Sequence, residues 1–333
     1  MKRASSRTQL PEGPVATTYA TAELVRARTN PSQVLLLLNG VESSSLDLAD
    51  PEYLDFEYMQ HIRLILESRW DQGERRNQGE RRNQGERRGQ DERRAVEAGV
   101  EAGRAAEGRV SRRTRVLHLG GAGCALARAL GARRELHQVA VEIDPELARL
   151  VREWFPLPRS PFLKIRVGDA RHVLDSTKAN WNAIVRDAFT GREVPAHLRT
   201  AESAKRAADI LEPGGIYVLN AVASAGIRRL DEDVAAMAAA FPNIVAIADP
   251  AVFSGKRFGN FVVAGSDARF PVEAIEREVR KFPLPTKFFD DDALRSRAAS
   301  VRPLTDSLAG WPRATSPRQR RPRSMPTASA QPE

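Results

Sequence analysis

Apolar positions along this chain change rhythm twice. Near the N-terminus they come in short strand-like blocks: Ala22-Glu23-Leu24-Val25-Arg26 alternates, and Gln33–Leu38 is largely apolar. Asn39-Gly40 follows the second block and signals a hairpin, because both residues tolerate the positive φ angles of a two-residue turn. Asp50-Pro51-Glu52 predicts a helix start, with Asp50 as N-cap and Pro51 at the first helical position. Leu54, Tyr58, Ile62 and Ile65 share one side of that helix, which is expected to reach about Ser68. The rhythm then stops. Residues 71–94 repeat a six-residue unit of the type Asn-Gln-Gly-Glu-Arg-Arg without one apolar position. Such a unit has no face to bury by stacking on its neighbours, and the recurring glycine weakens a helix. The block reads as a solvated, disordered insert.

From Arg115 strands alternate with helices. Strands are predicted at 116–119, 139–143, 163–167, 181–185 and 216–219, and a terminal pair at 244–248 and 260–264. Helices are expected at 124–130, from Asp144-Pro145 with Leu147, Leu150, Val151 and Trp154 at helical spacing, at 199–211, and at 271–281. This alternation predicts a doubly wound, mostly parallel α/β sheet, with ligands at the carboxyl ends of its strands. The expected organisation is a disordered 1–17, a small hairpin-and-helix domain over 18–68, the insert over 69–114, an α/β domain over 115–310, and a disordered basic tail over 311–333.

Composition narrows the partners. The formal charge is +9, but residues 69–115 hold 14 Arg against 9 Asp/Glu and residues 311–333 hold 5 Arg against one Glu. The two unusual segments therefore carry the whole excess. The folded body is near neutral, which argues against a specific nucleic-acid groove. The longest apolar run, Val34–Leu38, is far short of a membrane span, and the charged N-terminus leads into no apolar signal region. A single cysteine, Cys124, excludes an internal disulfide and fits a cytoplasmic location. The five histidines show no paired metal spacing, so no metal is expected. His118, Trp154 and Phe155 read as core.

The candidate chemistry lies at the strand ends. Gly120-Gly121-Ala122-Gly123 follows the first strand of the α/β region and opens a helix, a place where glycine lets the backbone approach a ligand. Glu142 ends the next strand, 22 residues after Gly120, where a carboxylate can accept both ribose hydroxyls of a nucleoside. Asp169 ends the third strand, where it can meet an adenine edge, and Asp187 ends the fourth. The ordinary alternative for each aspartate is a helix N-cap. A dinucleotide site fits less well, since the third glycine of the G-x-G-x-x-G pattern is missing.

In order and spacing, Val116–Gly123, Val141-Glu142-Ile143-Asp144, Gly168-Asp169-Ala170, Ile184–Asp187 and Leu211–Gly215 resemble the spermidine synthase family of aminopropyltransferases. The hairpin at Asn39-Gly40-Val41, the Glu57…His61 pair and Leu304-Thr305-Asp306 are similar to further motifs of that family. The resemblance covers roughly residues 18–68 and 115–310. It implies a seven-stranded methyltransferase-like sheet with a small N-terminal β domain, and a homodimer. It also implies aminopropyl transfer from decarboxylated S-adenosylmethionine to a small amine or polyamine. Asp187 would be the general base, Glu142 would hold the ribose, Asp169 the adenine, and Gly120, Gly121 and Gly123 the donor's turn. The chain departs from the family at Gly123 and Thr190, where carboxylates are usual, and at Ser43, where glutamine is usual. These departures keep two alternatives open: a methyltransferase using S-adenosylmethionine, and a catalytically silent nucleoside-binding protein.

Overall fold

The computed structural model describes residues 10–74, 113–223 and 228–312. Most of the six-residue repeat and nearly all of the basic tail lie outside these residues.

A small antiparallel sheet comes first, in the order β1 (Val15–Ala16), β2 (Thr21–Arg26), β3 (Gln33–Leu38), β4 (Val41–Asp47). Asn39 and Gly40 take φ of 51° and 74°, as a two-residue hairpin turn requires. Leu38 pairs with Val41 across it. Order begins earlier than the polar composition of residues 1–17 suggests. Leu10 is buried, and Val15–Ala16 pairs with Thr21–Ala22.

Helix α1 spans residues 57–74. It starts later than expected. Asp50 caps a turn, accepting from the Glu52 N–H at 2.9 Å, and regular helix begins only at Glu57. At its other end, residues 69–74 continue the helix although they fall in the predicted insert. Arg69 is tied there to the Ala268 carbonyl at 2.8 Å and lies over Phe270.

The large sheet runs β5 (Thr114–Leu119), β6 (Leu136–Glu142), β7 (Leu163–Val167), β8 (Trp181–Arg186), β9 (Leu211–Ala223), β10 (Asn243–Ala248), β11 (Gly259–Ser266) and β12 (Lys287–Phe289). Their spatial order is β12-β10-β11-β9-β8-β5-β6-β7. The five strands β7, β6, β5, β8 and β9 are parallel, and the remaining three join antiparallel. The protein has the methyltransferase-like α/β fold. Its seven expected strands are joined by the short edge strand β12, which pairs with β10 and covers an otherwise open edge.

Helices α2 (Ala125–Arg133), α3 (Pro145–Trp154), α4 (Ala170–Ser176), α5 (Ala201–Asp209), α6 (Arg228–Ala240), α7 (Pro250–Phe253), α8 (Val272–Val279) and α9 (Asp291–Ala298) flank the strands. The period of two along the strands divides the core. Val116, Ala183 and Val185 enter a core shared with α1, α2, α3 and the small sheet. Leu117, Leu119 and Ile184 face α4, α5, α6 and α9. The small sheet is thus packed into one continuous apolar layer with the large one.

A single carboxylate reinforces that junction. Asp144 caps α3 through the Leu147 N–H at 2.9 Å and also accepts from Thr17 Oγ1, Thr18 N and Tyr19 N at 2.6, 3.1 and 2.8 Å. Burial acts to raise its pKa, but these four donors outweigh it and hold the pKa at about 2.

Candidate functional site

Strand order reverses at β5, where the chain moves first to β6 and later to β8. The carboxyl ends of these strands open onto a cleft of about 1060 Å³, closed on the other side by β4 and α1. In an α/β sheet this reversal leaves a crevice between diverging connections.

The turn after β5 is shaped by close backbone approach. Gly120 has φ +106°, and a Cβ there would lie 2.1 Å from the Asp187 carbonyl oxygen. Only glycine lets β5 and β8 end side by side, with the Asp187 N–H donating to the Leu119 carbonyl at 2.9 Å. At Gly121 a Cβ would make ordinary contact with Glu142. At Gly123 it would meet Ser44 Cβ at 2.7 Å. The Ser44 hydroxyl, from β4, accepts the Gly123 N–H at 3.0 Å. No side chain fits at 123 with Ser44 in place, so the missing carboxylate belongs to a repacked corner.

Glu142 closes the turn from the β6 side. Its Oε2 accepts the Ala122 N–H at 2.8 Å and its Oε1 the Asp144 N–H at 3.0 Å. Burial raises its pKa, and the backbone donors only partly offset this. Each carboxylate oxygen still has acceptor capacity for a hydroxyl. Ile143 beside it is exposed and lines the same cleft, offering an apolar surface. Cys124 is buried, and burial with the Glu142 charge pushes its thiol up to about 12, so it is no nucleophile at neutral pH.

Asp169 caps α4, accepting from the His172 N–H at 2.9 Å, which is the ordinary alternative named for it. Its other oxygen bonds His197 Nε2 at 3.0 Å. Asp169 and His197 both line the cleft. Capping and cleft-lining coexist because the cap uses one oxygen.

Asp187 forms the floor at the opposite end. Tyr58 Oη donates to its Oδ2 and Asn220 Nδ2 to its Oδ1, each at 3.0 Å. Burial raises its pKa, while these two donors and the neighbouring Arg186 charge pull the other way. Arg186 itself is buried and paired with Asp233 at 3.2 Å, so its charge is largely committed elsewhere. A carboxylate held between two donors, with its pKa raised, has the chemistry of a proton acceptor. Glu57 also lines the cleft, with Thr286 Oγ1 on its Oε1 at 2.9 Å. His61 lies 3.7 Å from the same oxygen. Burial drives His61 down to about 4, so this side chain is neutral.

Of the six residues singled out from the sequence, Gly120, Gly121, Glu142, Asp169 and Asp187 line the cleft, while Gly123 is turned into the Ser44 contact. Sequence reasoning missed Tyr58, Asn220 and His197. Tyr58 was counted among the apolar positions of its helix, and its hydroxyl left no trace in the pattern. Asn220 breaks the apolar run Ile216–Leu219 at a strand end, which was the available signal. Among the described residues no cluster of His, Cys, Asp and Glu could hold a metal ion, and no helix is long and apolar enough to cross a membrane.

A solved structure of a probable spermidine synthase from Corynebacterium glutamicum matches with a TM-score of 0.72 and 31% identity, over 90% of this chain and 97% of that one. The spermidine synthase from Thermotoga maritima shares the fold at a TM-score of 0.50 and 13% identity, over 86% and 87% of the two chains. A curated polyamine aminopropyltransferase from Vibrio vulnificus (strain CMCP6) is 30% identical over 89 residues. That match spans 26% of this chain and 30% of the relative. No family model matches the chain.

Proposed function

The chain belongs to the spermidine synthase family, and on that premise we propose that it transfers an aminopropyl group from decarboxylated S-adenosylmethionine to a small amine or polyamine. The observation that carries this reading is the Asp187 carboxylate, held by Tyr58 and Asn220 at 3.0 Å on the cleft floor with its pKa raised by burial. The acceptor arrives as an ammonium ion and gives one proton to Asp187. Its freed lone pair attacks the propyl carbon bonded to the sulfonium. The new N–C bond forms as the C–S bond breaks, and that electron pair stays on sulfur as methylthioadenosine. Tyr58 and Asn220 keep the carboxylate aimed at the acceptor nitrogen, an orientation effect that works before any bond changes.

On this reading Glu142 accepts the ribose hydroxyls, and Asp169 with His197 bounds the base end of the cleft. Gly120 and Gly121 let the donor lie close to the backbone. Glu57 adds a carboxylate to the acceptor side, where ammonium groups must be desolvated. The test is mass spectrometry of the purified protein with decarboxylated S-adenosylmethionine and a mixture of diamines and polyamines. Methylthioadenosine with a lengthened amine, lost in Asp187→Asn, is the expected result.

One observation favours a second reading. The Ser44–Gly123 contact leaves no carboxylate at the corner where the family usually has one to hold the donor's ammonium. This relaxes the demand for a decarboxylated donor and fits methyl transfer from S-adenosylmethionine. S-adenosylhomocysteine as the only nucleoside product would replace the first reading with this one. Absence of both products with retained nucleoside binding would leave a silent binding protein.

A further inference from the structure

The last described segment, residues 301–312, is far from the glycine turn in sequence yet folds back onto the base end of the cleft. Its Leu304 carbonyl accepts the Ala201 N–H at 2.8 Å. Its buried Asp306 accepts both terminal nitrogens of Arg171 at 2.8 and 2.7 Å, and Thr200 Oγ1 at 2.6 Å. Paired, planar bonds of this kind fix orientation as well as distance. Arg171 belongs to the first turn of α4, two residues after Asp169, and also donates to the His197 carbonyl at 2.6 Å. One guanidinium, on the helix that Asp169 caps, thus ties residues 301–312 to the His197 backbone.

A tight turn follows, closed by the Trp311 N–H on the Asp306 carbonyl at 2.8 Å. It lays the Trp311 indole flat on the His197 ring, with centroids 4.7 Å apart and planes 12° apart. The same indole contacts His172 at 4.6 Å and donates from Nε1 to Asp175 at 3.3 Å. His197 is therefore fixed on three sides: its ring by Trp311, its backbone by Arg171, and its Nε2 by Asp169. The Asp169 carboxylate can only accept, so Nε2 carries a proton toward it.

We propose that Trp311 is a positioning residue of the donor site: by holding His197 it fixes the Asp169 carboxylate as the acceptor that reads the exocyclic amino group of the purine. The inference rests on the nucleoside reading of the cleft given above. A carboxylate acceptor favours a 6-amino purine over a 6-oxo purine, because the oxo group would face it without a proton to donate.

The test is calorimetric titration of the full chain with methylthioadenosine and with its 6-oxo counterpart, methylthioinosine. The wild type is expected to prefer the amino compound by at least tenfold. Trp311→Ala should weaken methylthioadenosine about tenfold and shrink that preference. Trp311→Phe, which keeps a flat ring, should restore most of both, and His197→Ala should shrink the preference as Trp311→Ala does. A merely structural tryptophan would lower the melting temperature of Trp311→Ala and leave the amino-over-oxo ratio untouched, which overturns the proposal. Unchanged preference in folded His197→Ala overturns it as well. A wild type that binds neither compound sinks the nucleoside reading itself and takes this inference with it, a result distinct from intact binding with indifferent variants.

Discussion

The two ends of the cleft are made by different means. On the proposed reading, the donor end is built mainly from the backbone turn and the strand-end carboxylate within residues 119–144, locked by the contacts Gly120–Asp187 and Ala122–Glu142, with Asp169 and His197 bounding its base end. At the acceptor end three side chains meet from distant segments: Tyr58 lies 129 residues from Asp187 and Asn220 lies 33 from it. A turn built by steric exclusion admits few substitutions. A constellation of side chains can be altered one hydroxyl or amide at a time. On the proposed reading the acceptor end is where the chemistry can change while the donor is kept; of the two departures, Thr190 lies near Asp187 and Gly123 lies in the donor turn against Ser44.

The difference can be broken most sharply at Asp187. On the proposed reading, Asp187→Asn should lower turnover by about 10²–10⁴-fold, the usual range for removing a general base, with nucleoside affinity near normal. Steady-state rates and direct titration measure the two separately, and a matched loss of binding would erase the distinction between the ends. At the donor end, Glu142→Gln should do the opposite. It should weaken nucleoside binding by about 10–100-fold, as expected for a charged hydrogen bond worth roughly 1.5–3 kcal/mol. Equal affinity in that variant would remove Glu142 from the site.

Smaller changes sharpen the contrast. Tyr58→Phe removes a donor that lowers the Asp187 pKa, so that pKa should rise further. The acid limb of the rate profile should then move to higher pH. A limb that stays in place would show that Asp187 is not the group being titrated. The smallest effect belongs to the junction of the two sheets. The Asp144 pKa of about 2 lies below its unfolded value, so its contribution is present above about pH 4 and fades as pH falls toward 2. Asp144→Asn should cost on the order of 1–2 kcal/mol at neutral pH. The two stability curves should converge below pH 4. Parallel curves in acid denaturation would argue against the charge.

The same contrast explains what could be read in advance. The α/β alternation, the hairpin at Asn39-Gly40 and the strand-end carboxylates are local patterns, set by periodicity and turn chemistry, and they were legible. The start of α1 was misread because Asp50-Pro51 has the chemistry of a helix N-terminus, yet it caps only a turn before regular helix begins at Glu57. Order at Leu10–Ala16 escaped notice because part of its support is the core that Leu10 enters, built from residues far along the chain, and β1 is only two residues long. The Tyr58–Asp187 and Trp311–His197 contacts were invisible for the same reason: nothing local distinguishes an aromatic ring in a core from one placed against a site. The Ser44 contact that crowds Gly123 comes from a different sheet and needed the tertiary structure.

Asp144 also makes the two sheets thermodynamically conversant. Its own N–H is held by Glu142, while its carboxylate holds the amides of Thr18 and Tyr19. Whatever stabilises Glu142 in its bound geometry therefore discourages the local opening that would free those amides. On the proposed reading, hydrogen exchange at Thr18 and Tyr19, in the turn between β1 and β2, becomes a remote gauge of whether a nucleoside fills the Glu142 corner.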